Sequence, residues 1–135
     1  MAEKVFKLEI MAPDRIFYVN DVYMVEYNTT EGEVGVLAGH IPMTQVLAPG
    51  VLSITEDENN KKKAALHTGF VEITQEKVTI MAESVEWPED IDLKRAQEAE
   101  IRAKRRLAAE DGKYDIDRVE LALKRALIRE HVAKV

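Results

Sequence analysis

The chain has 135 residues, 46% of them apolar and 33% charged, with a net charge of −6 and no cysteine. Its length supports one core, or one small domain with an appendage; the lack of cysteine excludes disulfides, thiol catalysis and zinc–thiolate sites and permits a reducing compartment; and no apolar run approaches the ~20 residues of a membrane-spanning helix. Residues 1–88 carry 7 Lys/Arg against 14 Asp/Glu while residues 89–135 carry 12 against 11, so the acidic front part repels nucleic acid and anionic lipid.

Residues 1–10, MAEKVFKLEI, hold no signal-peptide apolar core. From there to residue 82, short apolar stretches recur with turn signals at roughly ten-residue spacing, the pattern of a sandwich or barrel. Residues 4–11 alternate as the first strand and Ala12-Pro13-Asp14 turns it. Strands over 15–19 and 21–27 follow, then a break at Thr30-Glu31-Gly32. Strands at 33–37 and 42–47 flank Ala38-Gly39-His40, and Ala48-Pro49-Gly50 turns again. Residues 51–55 and 61–67 form a hairpin whose tip, Glu58-Asn59-Asn60, suits positive φ. Strands at 70–73 and 77–82 close an antiparallel β-sandwich of about ten strands.

After Trp87-Pro88 the period changes. Leu93, Ala96, Ala99 or Glu100, Ala103 and Leu107 recur at three-to-four spacing, as do Ile116, Val119, Leu123, Ala126, Leu127 and Val132, which predicts two amphipathic helices. Asp92 caps the first; Asp115 or Asp117 caps the second, with Asp117 and Glu120 spaced like a capping box. Glu110-Asp111-Gly112-Lys113-Tyr114 is the connection, with glycine at a C′ position, and so short a link folds the helices back as an antiparallel hairpin. The domains expected are thus a sandwich over 1–88 and a helical hairpin over 89–135. The first helix is mostly alanine on its apolar stripe, so the hairpin buries little area.

No catalytic constellation is evident. His40, His67 and His131 lack metal-ligand spacing, and the nucleophile-elbow, phosphate-loop and zinc-helix signatures are absent. His67 reads as a structural strand residue. Residues 34–39 imitate a phosphate loop but lead into Ile41-Pro42 rather than a helix N-terminus. On the first helix Asp92, Arg95, Arg102 and Arg106 share a face, and on the second Arg125 and Arg129 do. Those spacings describe either a solvated charged face or, folded as a hairpin, a multi-arginine pocket for phosphate oxygens.

The stretch EGEVGVLAGHIPM at residues 31–43, then APGVL at 48–52, TGFVEI at 68–73 and a helical hairpin closely resemble the epsilon-subunit family of bacterial F-type ATP synthases over essentially the whole chain. The family has proline where this chain has Ala38, which relaxes φ there and leaves Gly39, His40 and Pro42 in place. The resemblance implies a noncatalytic rotor subunit at the foot of the central stalk, on the cytoplasmic side of the bacterial plasma membrane, peripheral and without membrane insertion. It would couple the gamma subunit to the c-ring in ion-driven ATP synthesis. By position, Glu33, Gly39, His40 and Pro42 match the family's contact region for those partners.

Ile91-Asp92-Leu93-Lys94-Arg95-Ala96 matches the motif of family members that bind ATP between hairpin and sandwich. Glu86 is placed like the acidic residue before that motif, and Arg125 and Arg129 like the second-helix arginines; Arg102 is a weaker match. The resemblance therefore implies a nucleotide set of Glu86, Asp92, Arg95, Ala96, Arg125 and Arg129, with ATP as a regulatory ligand, no required cofactor and no metal. The hairpin would inhibit ATP hydrolysis by extending toward the alpha/beta catalytic head. The alternative is a free-standing nucleotide-sensing module.

Overall fold

Among the described residues there are ten strands, most of them marked by alternation of apolar and polar residues: β1 (Phe6–Ala12), β2 (Arg15–Val22), β3 (Met24–Thr29), β4 (Gly32–Leu37), β5 (Met43–Leu47), β6 (Gly50–Thr55), β7 (Lys61–Leu66), β8 (Gly69–Ile73), β9 (Lys77–Ala82) and β10 (Val85–Glu86). The computed structural model describes residues 4–109 and 112–134. The chain forms two units, Met1–Glu86 and Trp87–Val135. In the first, β10, β7, β6, β3 and β4 make one half of the sandwich, and β5, β8, β9, β1 and β2 the other; the Thr29–Leu47 pairing joins them. Every pairing is antiparallel except β1 with β9. A parallel pair needs a long crossover, and here all the intervening strands form it.

The inward positions of both halves are filled by fully buried Leu8, Ile10, Tyr27, Leu47, Leu52, Ile54, Leu66 and Ile80. The Tyr27 hydroxyl donates to Gln45 Oε1 at 2.6 Å, so its polar tip is satisfied within the core. Burial pushes that hydroxyl's pKa up to about 12. At one end of the sandwich Glu56 Oε2 accepts from Tyr18 at 2.5 Å and from Asn20 at 3.2 Å, tying β2 to the start of the β6–β7 turn.

Three expectations are corrected here. The strands expected at 15–19 and 21–27 are divided at Tyr23 rather than at Asn20. β1 pairs along the whole of β2, from Ala12↔Arg15 to Phe6↔Val22, and that ladder carries the chain through Asn20 against its turn preference. The β6–β7 tip uses no positive φ, since no described non-glycine residue has one. Asp57 instead accepts from the Asn59 amide at 2.8 Å and from the Asn60 side chain, an Asx-type turn. His67 lies just beyond β7, and β10, too short to show an alternation, pairs there with Leu66 and Ala65.

The second unit begins with a 3₁₀ turn at Pro88–Asp90 and continues as α1 (Leu93–Ala108) and α2 (Ile116–Ala133), packed as an antiparallel hairpin. Asp92 caps α1, accepting from the Arg95 amide at 3.0 Å. Asp115 caps α2, accepting from the Arg118 amide at 3.4 Å. Asp117 therefore lies inside the first turn, and the third helical position that a capping box needs is Arg118 rather than Glu120. Gly112 takes a φ of +72° but lies three residues past the α1 cap at Ala109, so it serves the connection rather than C′. Glu110 and Asp111 of the expected connection lie outside the described residues. The buried positions are Ala96 and Ala103 on α1 and Val119, Ala126 and Val132 on α2, a narrow seam in which Ala96 to Ala103 and Val119 to Ala126 are seven-residue steps.

Candidate functional site

On the sandwich, β4 pairs with β3 alone and its Glu33 sits opposite Asn28, exposed. The loop beyond it turns at Gly39, whose φ of +84° is the conformation that favours glycine; a Cβ there would meet nothing within 4 Å. The His40 amide donates to the Leu37 carbonyl at 3.3 Å. Its ring Nδ1 donates to the Ile41 carbonyl at 2.8 Å, so Nε2 is left as the acceptor. Pro42 holds the exit, and the loop presents Ile41 at 76% exposure. Glu33, Gly39, His40 and Pro42 thus lie on one strand–loop segment, with an apolar side chain at its tip.

A second feature comes from register. Val46 pairs with Phe70, Phe70 with Met81, Met81 with Met11 and Met11 with Ile16. Their strand neighbours Val71, Ile80 and Ile10 point into the core. By alternation, the row therefore lies on the outer face of β5, β8, β9, β1 and β2. Phe70 is 54% and Ile16 70% exposed. A contiguous apolar row across five strands is a candidate docking face, in contrast to a scatter of single surface residues. It was missed in the sequence because its members come together only once the pairing is known.

Glu86 ends β10 and accepts a hydrogen bond at 3.2 Å from Nε2 of His67. His67 is 1% exposed, and its Nδ1 is buried with no hydrogen-bond partner among the described residues. That placement bears out a structural role for this histidine: it orients the Glu86 carboxylate.

In the hairpin unit Asp92 is the α1 cap, Arg95 is exposed in the first turn, Ala96 is buried in the seam, and Arg125 and Arg129 are half-buried on α2. A cavity of about 380 Å³ opens near the connection, lined by Arg102, Arg106, Lys113, Tyr114 and Arg118 over a floor of alanines and Val119. The guanidinium of Arg106 stacks 5.4 Å from the centre of the Tyr114 ring. The arginines of the two helices do converge, but this cavity gathers Arg102, Arg106 and Arg118, while Arg95, Arg125 and Arg129 lie outside its lining. Arg118 went unnoticed in the sequence, although it stands one seven-residue step before Arg125 and so shares its face. Among the described residues no group of three or more His, Asp or Glu side chains is placed to hold a metal ion, and no helix is long and apolar enough to cross a membrane.

A sandwich with an exposed Gly/Pro loop, followed by a helical hairpin with basic faces, is the arrangement of a class of stalk subunit. The model of the ATP synthase delta/epsilon chain β-sandwich domain matches residues 5–88, and that of the delta/epsilon chain long α-helix domain matches residues 89–134. The chain belongs to the ATP synthase delta/epsilon chain family. It is 42% identical over 132 residues to the ATP synthase epsilon chain of Caldanaerobacter subterraneus, covering 97% of this chain and 95% of that one. To the ATP synthase epsilon chain of Clostridium kluyveri it is 42% identical over 134 residues, covering 99% and 100%. A chain in the cryo-EM structure of the Euglena gracilis mitochondrial ATP synthase OSCP/F1/c-ring superposes with a TM-score of 0.83 at 26% identity, covering 94% of this chain and 80% of that one. The protein is a noncatalytic epsilon subunit of the central stalk.

Proposed function

We propose that this subunit couples the gamma subunit to the c-ring through its sandwich, on the cytoplasmic side of the bacterial plasma membrane, and restrains ATP hydrolysis through its hairpin. The outer-face row Val46–Phe70–Met81–Met11–Ile16, exposed at all but the half-buried Met11, carries the docking part of this reading. Apolar area of this extent on a soluble subunit is buried by association, and an aromatic residue at its centre is the kind that anchors an interface. Glu33, Gly39, His40 and Pro42 supply a second contact at the β4–β5 loop. The test is co-purification with gamma and the c-ring. Phe70→Glu introduces an uncompensated charge at the centre of the row and weakens capture of gamma at least about tenfold, a loss of about 1.4 kcal/mol or more. Undiminished capture by a folded Phe70→Glu chain overturns the assignment of that face.

ATP is the proposed regulatory ligand, bound through Asp92, Arg95, Ala96, Arg125 and Arg129, with Glu86 included on the resemblance alone. Asp92 holds the first turn of α1; Ala96, buried in the seam, is included on the resemblance alone. Guanidinium forks match phosphate oxygens. Binding favours the folded hairpin by RT ln(1 + [ATP]/Kd), so falling ATP releases the helices toward the catalytic head. Calorimetry tests this: Arg125→Ala loses about 1.5–3 kcal/mol of binding, roughly tenfold to over a hundredfold in affinity. No heat of binding at millimolar ATP for the unmodified chain removes the nucleotide from the reading and leaves the stalk role standing.

A further inference from the structure

The cavity at the connection end of the hairpin is used by neither the docking face nor the nucleotide set. Arg102 and Arg106 stand four residues apart and so share one face of α1. Antiparallel packing lays that half of α1 beside the N-terminal half of α2, where Arg118 lines the opposite wall; Lys113 adds a cation from the connection. The space of about 380 Å³ exists because the helices meet here over alanines and Val119, which are too small to fill it. Asp115, the carboxylate of the lining, is engaged as the α2 cap and accepts from the Arg118 amide. Among the described residues no carboxylate lies within ion-pair distance of the Arg102, Arg106 or Arg118 side chains.

The chain carries 25 Asp and Glu against 19 Lys and Arg, yet these three guanidiniums converge without one. Like charges four apart on a helix destabilise it, and a guanidinium cannot shed its proton to escape the repulsion. An anion in the cavity turns that repulsion into attraction from both helices. The three arginines are exposed, so the anion enters from solvent. Each guanidinium offers a planar fork that matches two phosphate oxygens. The volume suits a small ligand. Tyr114, the aromatic side chain of the lining, carries the Arg106 guanidinium over its ring at 5.4 Å, so the chain itself engages that ring rather than offering it to a nucleobase. What fits is an oxyanion without a base, with oxygens enough for three forks.

We propose that this cavity binds inorganic phosphate oxyanions, diphosphate more tightly than monophosphate, and that the bound anion bridges α1 to α2. Its ligands come from both helices, so the site is complete only in the closed hairpin. Binding therefore stabilises the closed form by RT ln(1 + [L]/Kd). Resting on the hairpin role proposed above, the oxyanion is a second input that holds the helices folded. It is separate from the nucleotide set, since Arg95, Arg125 and Arg129 lie outside the lining.

The experiment is calorimetry with amide hydrogen exchange on the full chain, without nucleotide. Sodium diphosphate and sodium phosphate are titrated against sodium chloride at matched ionic strength. Diphosphate is expected to bind saturably and more tightly than phosphate. At about ten times its Kd, protection of α1 and α2 rises about tenfold while the sandwich strands stay unchanged. Arg118→Gln and Arg106→Gln, each checked for a folded hairpin by helical circular dichroism, weaken diphosphate binding by about tenfold or more. Absence of diphosphate binding in the unmodified chain, equal protection by chloride, or undiminished binding in both folded variants overturns the proposal. Tighter binding of oligoglutamate than of diphosphate identifies a peptide face and also overturns it. Loss of diphosphate binding in Arg125→Ala with retention in Arg118→Gln places the anion in the nucleotide set, which again overturns it. No readout here requires gamma, ATP or hydrolysis, so failure of this site and failure of the regulatory role are distinguishable.

Discussion

The two units of this chain solve the same problem with different materials. The sandwich closes over large aliphatic side chains, among them Leu8, Ile10, Leu52, Ile54 and Ile80, all fully buried. The hairpin closes over Ala96, Ala103 and Ala126 with Val119 and Val132 at the margins. Apolar burial contributes roughly 25 cal/mol per Å², so a seam of alanines gains little per residue, while alanine lets helices approach and favours the helix itself. A sandwich closed over large aliphatic residues and a hairpin closed over alanines is the contrast that the regulatory role proposed above requires.

The largest test of this contrast is truncation within the sandwich core. Ile80→Ala, at a position with no exposure, removes three heavy atoms from the centre of β9 and costs about 2–5 kcal/mol, read as a fall in the midpoint of denaturant unfolding. A cost below about 1 kcal/mol would mean that the sandwich is as loosely packed as the arm.

The next test fills the seam instead of emptying the core. Ala103→Leu forces a large side chain between α1 and α2 and costs about 1–3 kcal/mol. The loss is expected in the hairpin alone, as faster hydrogen exchange from Leu93–Ala108 and Ile116–Ala133, with strand protection unchanged. Equal loosening of strands and helices would show that the two units open together.

How far the sequence carried this contrast differs between the units for a physical reason. Helical caps are local, so Asp92 was legible directly, and the choice between Asp115 and Asp117 needed only the backbone to decide it. The family stretch from Glu31 to Met43 was legible because its Gly and Pro spacing is rare. The outer apolar row was not: Phe70 looks outward and Val71 inward only once β8 is set against β5 and β9, and Met11 joins Met81 through a parallel pairing of distant segments.

Within the sandwich a subtler probe concerns a polar group in the core. Tyr27→Phe leaves Gln45 Oε1 without its 2.6 Å donor and costs about 1–3 kcal/mol near neutral pH. The tyrosine also titrates with the fold. Its hydroxyl is raised from 10.0 to about 12, so its contribution is whole below the lower value and is lost as pH rises through the upper one. Alkaline unfolding followed by phenolate absorbance should therefore lose part of its pH dependence above about pH 10 in Tyr27→Phe. An unchanged alkaline profile would mean that this hydroxyl is not sequestered.

The smallest effect falls on the caps, and it separates local stability from ligand chemistry. Asp92→Ala removes the acceptor of the Arg95 amide and costs about 0.5–2 kcal/mol, roughly twofold to thirtyfold in the local opening of α1. Asp115→Ala does the same to α2 through the Arg118 amide. Neither shifts the sandwich. Asp92→Asn keeps a side-chain oxygen of nearly equal capping strength while deleting the charge, so exchange from α1 should stay close to that of the unmodified chain. If ATP binding also survives in Asp92→Asn and is lost in Asp92→Ala, Asp92 serves the nucleotide by holding the first turn of α1 and the Arg95 it carries. If binding is lost in both while α1 stays protected in Asp92→Asn, the carboxylate charge itself is required, and the arginines on the two helices are held apart from it by more than helix geometry.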